Sequence, residues 1–159
     1  MRNYILINIK NGLSATIGQS STVYTTTLVE ELTNRIPEQV TVNYFTGIAI
    51  SNVSSFDREI GKNYPVRKNY NCLIAVLVKS ADFDGGQDEV DIIVNRISKY
   101  FALDSGSLKG STLTRDGVKE TVSDYLITNI QYGEAGDLKV GQLGNACLIN
   151  LSIMVDIII

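Results

Sequence analysis

Across residues 147–159, every odd position carries an apolar side chain: Cys147, Ile149, Leu151, Ile153, Val155, Ile157 and Ile159. Asn150, Ser152 and Asp156 stand between them. Successive side chains of a strand point to opposite faces, so this alternation reads as a long strand with one face in a core. Leu148, Met154 and Ile158 also occupy even positions. The second face is therefore expected to be partly covered, by a helix or by a neighbouring subunit. The chain stops inside this strand, which makes its end a structural member rather than a tail.

A second apolar run supports a sheet. Residues 72–78, Cys-Leu-Ile-Ala-Val-Leu-Val, are continuous and bounded by Asn71 and Lys79. A run this short and rich in β-branched residues predicts a strand covered on both faces, at the centre of a sheet. Between these two strands lies a helical pattern over about 87–103. Val90, Ile93, Val94, Ile97 and Phe101 fall on one stripe, with Asp88, Glu89 and Asp91 near its positive end and Arg96 and Lys99 towards the other.

The remaining elements follow from weaker signals. Residues 4–9 are rich in isoleucine and predict a short strand or ordered arm, followed by a glycine-bearing loop over 11–20. A first helix is expected from Ser21 or Thr22 to Ile36, on the spacing of Tyr24, Leu28 and Leu32, with Pro37 ending it. A strand is expected over 39–45, a long loop or irregular hairpin arm over 46–69, and a turn over 80–86. Residues 104–120 are expected to be an exposed, mobile loop. A strand over 121–132 with Val122, Leu126, Ile130 and Tyr132 on one face would pair with the terminal strand across a wide turn at 133–145. The fold class is α+β: one mixed or antiparallel sheet with two helices packed on one face, plus long exposed loops. The 159 residues fit a single domain, 1–159, with 1–20 as an N-terminal strand or arm and 21–159 as the α+β core.

Composition narrows the function classes. A net charge of −3 gives no global attraction to nucleic acid or to anionic membranes. No segment approaches the roughly 20 apolar residues of a membrane span, and residues 1–9 are too short and too interrupted for a signal peptide. With His 0, the commonest general base and metal ligand is missing. Cys72 and Cys147 each lie in an apolar strand-like run and read as core thiols in a reducing compartment.

The motifs with chemical potential are incomplete. Asp82, Asp84 and Glu89 around Gly85-Gly86 resemble a calcium loop, but Gly86 and Ile93 stand where ligands are required, so a helix-opening turn is the better reading. Residues 106–112 carry the residue types of a phosphate-binding loop in the wrong order. No serine sits in a nucleophile elbow. Arg58, Lys62, Arg67 and Lys68 form a basic cluster with Phe56, Tyr64 and Tyr70 interleaved. That pattern can stack nucleic acid, but Asp57 and Glu59 dilute it, and a solvated loop or protein–protein rim is expected instead. No enzymatic activity, cofactor or metal is expected. The candidate interaction residues are Phe56, Arg58, Lys62, Tyr64, Arg67, Lys68, Lys109, Arg115, Lys119, Asp137 and Lys139, all placed on loops.

The central run 72–78, the turn Ala81-Asp82-Phe83-Asp84-Gly85-Gly86 and the helix over 88–101, in this order of elements, resemble the tail terminator, or tail completion, proteins of tailed bacteriophages. The resemblance spans roughly residues 20–159, and the stretches 4–9 and 104–120 depart from it. It implies a structural virion protein that assembles in the host cytoplasm. Such proteins form a ring, typically a hexamer, on the finished tail tube, stopping its growth and joining it to the head–neck connector. The implied partners are copies of the chain itself, the tail tube with the sheath protein as a further candidate, and the neck protein, with no membrane and no sequence-specific nucleic acid. Two other readings stand beside it. One is a different neck or baseplate component of a phage tail or contractile injection system. The other is a ferredoxin-like, small-molecule-binding regulatory module.

Removing residues 150–159 deletes Leu151, Ile153, Val155 and Ile157 from the core. At roughly 1.5–3 kcal/mol for each fully buried aliphatic side chain, the loss rivals the stability of a whole domain. The truncated chain is expected to be insoluble; recovery of a soluble product with cooperative thermal unfolding would contradict the core role.

Overall fold

The structure is a computed structural model and describes residues 1–17, 23–26, 44–56, 66–79, 83–134 and 144–158. In chain order the elements are α1 (Arg2–Ile17), β1 (Val23–Thr26), β2 (Tyr44–Phe56), β3 (Val66–Lys79), α2 (Phe83–Ala102), β4 (Thr112–Arg115), β5 (Val118–Glu134) and β6 (Gly144–Ile158). The strands form one sheet in the order β1-β2-β3-β6-β5-β4. The β1–β2 pair is parallel and every other neighbouring pair is antiparallel. This is the mixed-sheet α+β fold, with two helices on the sheet among the described residues.

The terminal strand is an interior strand. It pairs with β5 as expected, and its other edge pairs with β3 along its whole length. Cys147, Ile149, Leu151, Ile153, Val155 and Ile157 are all buried on one face. Cys72, Ile74, Val76 and Val78 of β3 share that face, opposite Leu151, Ile149, Cys147 and Asn145. Both helices pack there, so α1, α2 and one side of the sheet enclose a single core. The other side is also covered in part: Ala49, Ala75, Leu77 and Ala146 are buried on it. The even side chains of β6 from Leu148 to Asp156 are half-buried.

The N-terminal segment corrects the expected strand or arm. Residues 2–17 are helical, and Ile5, Ile9, Leu13 and Ile17, with Leu6, form a stripe at four-residue spacing that is fully buried. The short run Tyr4–Ile9 suits either period by itself. The stripe becomes clear only when the window extends through the supposed loop to Ile17. Isoleucine is a modest helix former, so α1 owes its form to burial rather than propensity. Its last carbonyl, on Ile17, accepts a hydrogen bond from Arg96 Nη1 of α2 at 2.7 Å, a cation at the negative end of a helix. Gly12 lies within this helix where the buried Tyr100 hydroxyl fills the space a Cβ would take.

Other expectations shift in the same way. Of the helix expected over 21–36, residues 23–26 are instead strand β1, and 21–22 and 27–36 lie outside the described residues. Of the strand expected over 39–45, residues 44–45 open β2 and the rest lies outside them. Of the long loop or irregular hairpin arm expected over 46–69, the described residues form the second: β2 runs through Phe56 and pairs antiparallel with β3 from Val66, and 57–65 lie outside the described residues. A register shift between Ile50 and Asn52 hides the alternation of β2. Helix α2 begins at Phe83, inside the expected turn, and its predicted stripe is buried throughout. Of the turn expected over 133–145, residues 133–134 and 144–145 belong to strands and 135–143 lie outside the described residues.

The segment 104–120 is built rather than loose. Ser105 N–H bonds Tyr100 O at 3.0 Å and Asp104 N–H bonds Phe101 O at 3.1 Å, a left-handed helix ending with Asp104 at φ 46°. The Asp104 carboxylate accepts the Leu108 N–H at 3.0 Å and lies 2.7 Å from the Tyr125 hydroxyl. That hydroxyl is also 2.8 Å from Phe101 O, so its one proton serves two acceptors. Burial, then the bond to Asp104, raises the Tyr125 phenol well above its ordinary range. Leu108 is buried, and β4 and β5 join through Asp116-Gly117 at φ 49° and 77°. Two positive φ angles define the tight hairpin turn that Asp-Gly favours.

Strand β5 carries register shifts between Val122 and Asp124 and between Ile127 and Asn129. Each reverses which side chains face the helices. Val122, Tyr125, Ile127, Ile130 and Tyr132 therefore face the helix side, opposite Val155, Ile153, Leu151, Ile149 and Cys147. Leu126 turns away from the face expected for it and is 61% exposed.

Gly12→Ala tests the contact between α1 and α2. The Tyr100 ring is buried and stacks edge-on against Phe101, so it has little freedom to retreat. The substitution is expected to cost about 1–3 kcal/mol in denaturant unfolding; unchanged stability would contradict the packing.

Candidate functional site

Only some of the residues singled out from the sequence lie among the described residues. Arg58, Lys62, Tyr64, Asp137 and Lys139 lie outside the described residues. Phe56 ends β2 opposite Arg67 of β3. Arg67 and Lys68 are strand neighbours and so point to opposite faces. Arg67 Nε is 2.8 Å from Asp156 Oδ1 on the face away from the helices. Both groups are partly exposed, so the pair contributes little to stability. Lys68 sits opposite Val155, on the helix side. Tyr70 is buried, not an exposed stacking surface. The described part of the basic–aromatic cluster, Arg67, Lys68 and Tyr70, is thus divided by the pleat. Lys109 follows α2, with Nζ 3.3 Å from Asp124 Oδ1. Lys119 lies in β5 and Arg115 ends β4, both in strands rather than loops.

The motifs weighed for chemistry take structural places. Asp84, Gly85 and Gly86 fall in the first turn of α2, not in a loop. Residues 106–111 form turns that lead into β4, not into a helix. Among the described residues, no group of three or more His, Cys, Asp or Glu side chains gathers as a metal site. Cys72 and Cys147 are free and buried on the core face. Burial pushes the Cys72 thiol up to about 12. Burial, with a smaller contribution from the Asp91 charge, pushes Cys147 up to about 11.

Two surfaces remain. The first is the outer edge of β5. Strand β4 covers only its beginning, from Val118 to Thr121, and Gly110 and Ser111 bond Val122. Among the described residues, nothing pairs with this edge from Ser123 to Glu134. Apolar side chains flank the edge on both faces: Leu126 on one, Ile130 and Tyr132, 37% and 47% exposed, on the other. Unpaired N–H and C=O groups beside exposed apolar side chains form a template for another strand. The Tyr132 phenol is raised mainly by desolvation, with further contributions from the Cys147 thiol and from the charge and hydrogen bond of Asp91 on α2.

The second is a cleft of about 480 Å³ where α1 begins, lined by Met1, Arg2, Asn3, Tyr70 and Arg115. Arg115 reaches it because β4 folds back along β5 and places residue 115 on the helix side, as Val118 is. Tyr70 forms a wall, 4% exposed. The Met1 α-amine lies 3.7 Å from Glu120. Burial lowers that amine below its ordinary value, against the pull of Glu120 and with the push of Arg115 and Lys68.

No family model matches the chain, and neither does any curated protein.

Both thiols are expected to resist a disulfide reagent at pH 8 in the folded protein and to react fully in guanidinium. The thiolate is the reactive form and burial disfavours it. Rapid labelling of either cysteine under native conditions would contradict the core position.

Proposed function

We propose that the chain is a structural subunit that assembles with its own copies into a ring, as a tail terminator of the kind its element order resembles. In that role it caps a tail tube and joins it to the neck, and performs no chemistry. The observation that carries this reading is the outer edge of β5, open from Ser123 to Glu134 among the described residues and flanked by Leu126, Ile130 and Tyr132. Among the described residues, the sheet ends in two unlike strands, β1 on one side and the β4–β5 hairpin on the other. Unlike edges favour head-to-tail pairing, and head-to-tail contacts close into rings when the rotation between neighbours divides a circle. Backbone pairing supplies direction, and the exposed side chains supply apolar burial.

The two other readings separate by experiment. A different neck or baseplate component would also assemble, so neighbouring genes distinguish it. A ferredoxin-like regulatory module predicts compact monomers or dimers.

Mass photometry at the concentrations of assembly is expected to give a closed oligomer, typically of six copies. Leu126→Asp is expected to abolish it while changing unfolding stability by no more than about 0.5 kcal/mol, because the side chain is exposed. Monomers or dimers only, for the unaltered protein, would sink the proposal.

A further inference from the structure

The open part of β5 has a matching strand at the far side of the sheet. From the second bulge onward, Thr128, Asn129, Ile130, Gln131 and Tyr132 are all exposed. Successive residues of a strand point to opposite faces, so both faces of this stretch meet solvent. The bulge itself is fixed: Thr128 Oγ1 donates to Asn150 O at 3.2 Å, as Ser123 Oγ does to Met154 O at the first bulge. The two hydroxyls hold equivalent places in Val122-Ser123-Asp124 and Ile127-Thr128-Asn129. A strand held in this way is a formed edge rather than a frayed end.

The registers of the sheet carry this level across to β1. Tyr132 stands opposite Cys147, Cys147 opposite Val76, Val76 opposite Thr46, and Thr46 opposite Val23. By the same steps Asn129 is level with Asn150, Leu73, Ala49 and Thr26. The whole of β1 therefore sits at the height of residues 129–132. Direction agrees as well. Strand β5 is antiparallel to β6, β6 to β3 and β3 to β2, while β1 is parallel to β2, so β1 and β5 run in opposite senses. Among the described residues, nothing pairs with the outer edge of β1. Its sequence, Val23-Tyr24-Thr25-Thr26, suits a strand and has none of the charges or prolines that guard an edge.

Charge favours the same match. Helix α1 packs against β1 and β2, and its charged residues are Arg2 and Lys10. Helix α2 opens beside the end of β5, where Asp91 bonds Tyr132, and brings Asp88 and Glu89 with it. A cationic helix thus flanks one edge and an acidic helix start flanks the other, both on the same side of the sheet.

We propose that β1 of a second copy adds to β5 of the first as an antiparallel strand, with Val23 opposite Tyr132 and Thr26 opposite Asn129. This pairing rests on the ring reading and names the two surfaces that meet in it. With the ring axis along the strands, rotation alone carries β1 of the neighbour to the level it holds in its own sheet. Amides that are open in the separate subunit are then closed by the neighbour.

The test is a disulfide between chains. Tyr24→Cys and Gln131→Cys are placed on separate copies of the full chain, which are mixed and oxidised. Opposed residues of antiparallel strands have Cα atoms about 4.5–5.5 Å apart, within reach of a disulfide. A covalent dimer is expected from the mixture and from neither variant alone; Cys72 and Cys147 are buried and stay reduced. Covalent dimer from Gln131→Cys alone would show β5 pairing with β5 and overturn the assignment. Hydrogen exchange of the unaltered protein needs no substitution. The outward-pointing amides of residues 129–132 are expected to slow about tenfold or more on assembly. A closed oligomer with neither the disulfide nor this slowing overturns the pairing and leaves the ring. Unaltered protein that never assembles overturns the ring and the pairing together.

Discussion

Strand β6 is hydrogen-bonded along both edges, and the rest of the structure depends on it. The ladder to β3 runs from Val66–Ile157 to Lys79–Gly144, and the ladder to β5 from Lys119–Ile158 to Glu134–Asn145. These ladders join the two halves of the sheet. They also fix the register in which the odd side chains of β6 meet the even side chains of β3. A slip by one residue would turn the whole apolar set outward. Helices α1 and α2 pack on the surface that this register creates. Burial on that face, rather than local propensity, keeps an isoleucine-rich segment such as residues 5–9 helical.

The candidate surfaces are consequences of where the sheet stops among the described residues. Strand β4 is short, so β5 projects beyond it and, among the described residues, leaves an edge of unpaired backbone. Two bulges turn Leu126 to one side of that edge and Ile130 and Tyr132 to the other. Natural sheets commonly protect such edges with charge, bulges or covering segments. Here the bulges are present, and yet apolar side chains remain exposed beside them, which supports a partner strand. At the other end of the same hairpin, β4 delivers Arg115 to the start of α1. One supersecondary unit thus supplies an edge suited to assembly and a wall of a cationic cleft.

Long periodic elements were legible in the sequence, and short-range irregularities were not. The stripe from Val90 to Phe101, the run 72–78 and the alternation after Cys147 each extend far enough for period to decide type. The first helix was hidden because Tyr4–Ile9 is apolar throughout and Gly12 resembled a loop residue. The fourfold spacing through Leu13 and Ile17 held the answer. Asp116-Gly117 was a readable hairpin signal inside a segment taken for a loop. The bulges of β5 left no mark, so the outward turn of Leu126 could not be foreseen. The cleft could not be foreseen either. Arg115 and Tyr70 lie far apart in the sequence, and only the sheet order brings residues 1–3, 70 and 115 together.

Amide hydrogen exchange of the folded protein tests the central position of β6 most directly. Exchange protection follows the depth of an element in the cooperative core. Amides of β6 from Cys147 to Ile157 are expected to be among the slowest, exchanging only by global unfolding together with those of residues 72–78. Amides of β5 between Ser123 and Glu134 that point to its open edge are expected to exchange by local opening, far faster. If β6 exchanged as fast as that edge, the terminal strand would not be the member that holds the sheet together.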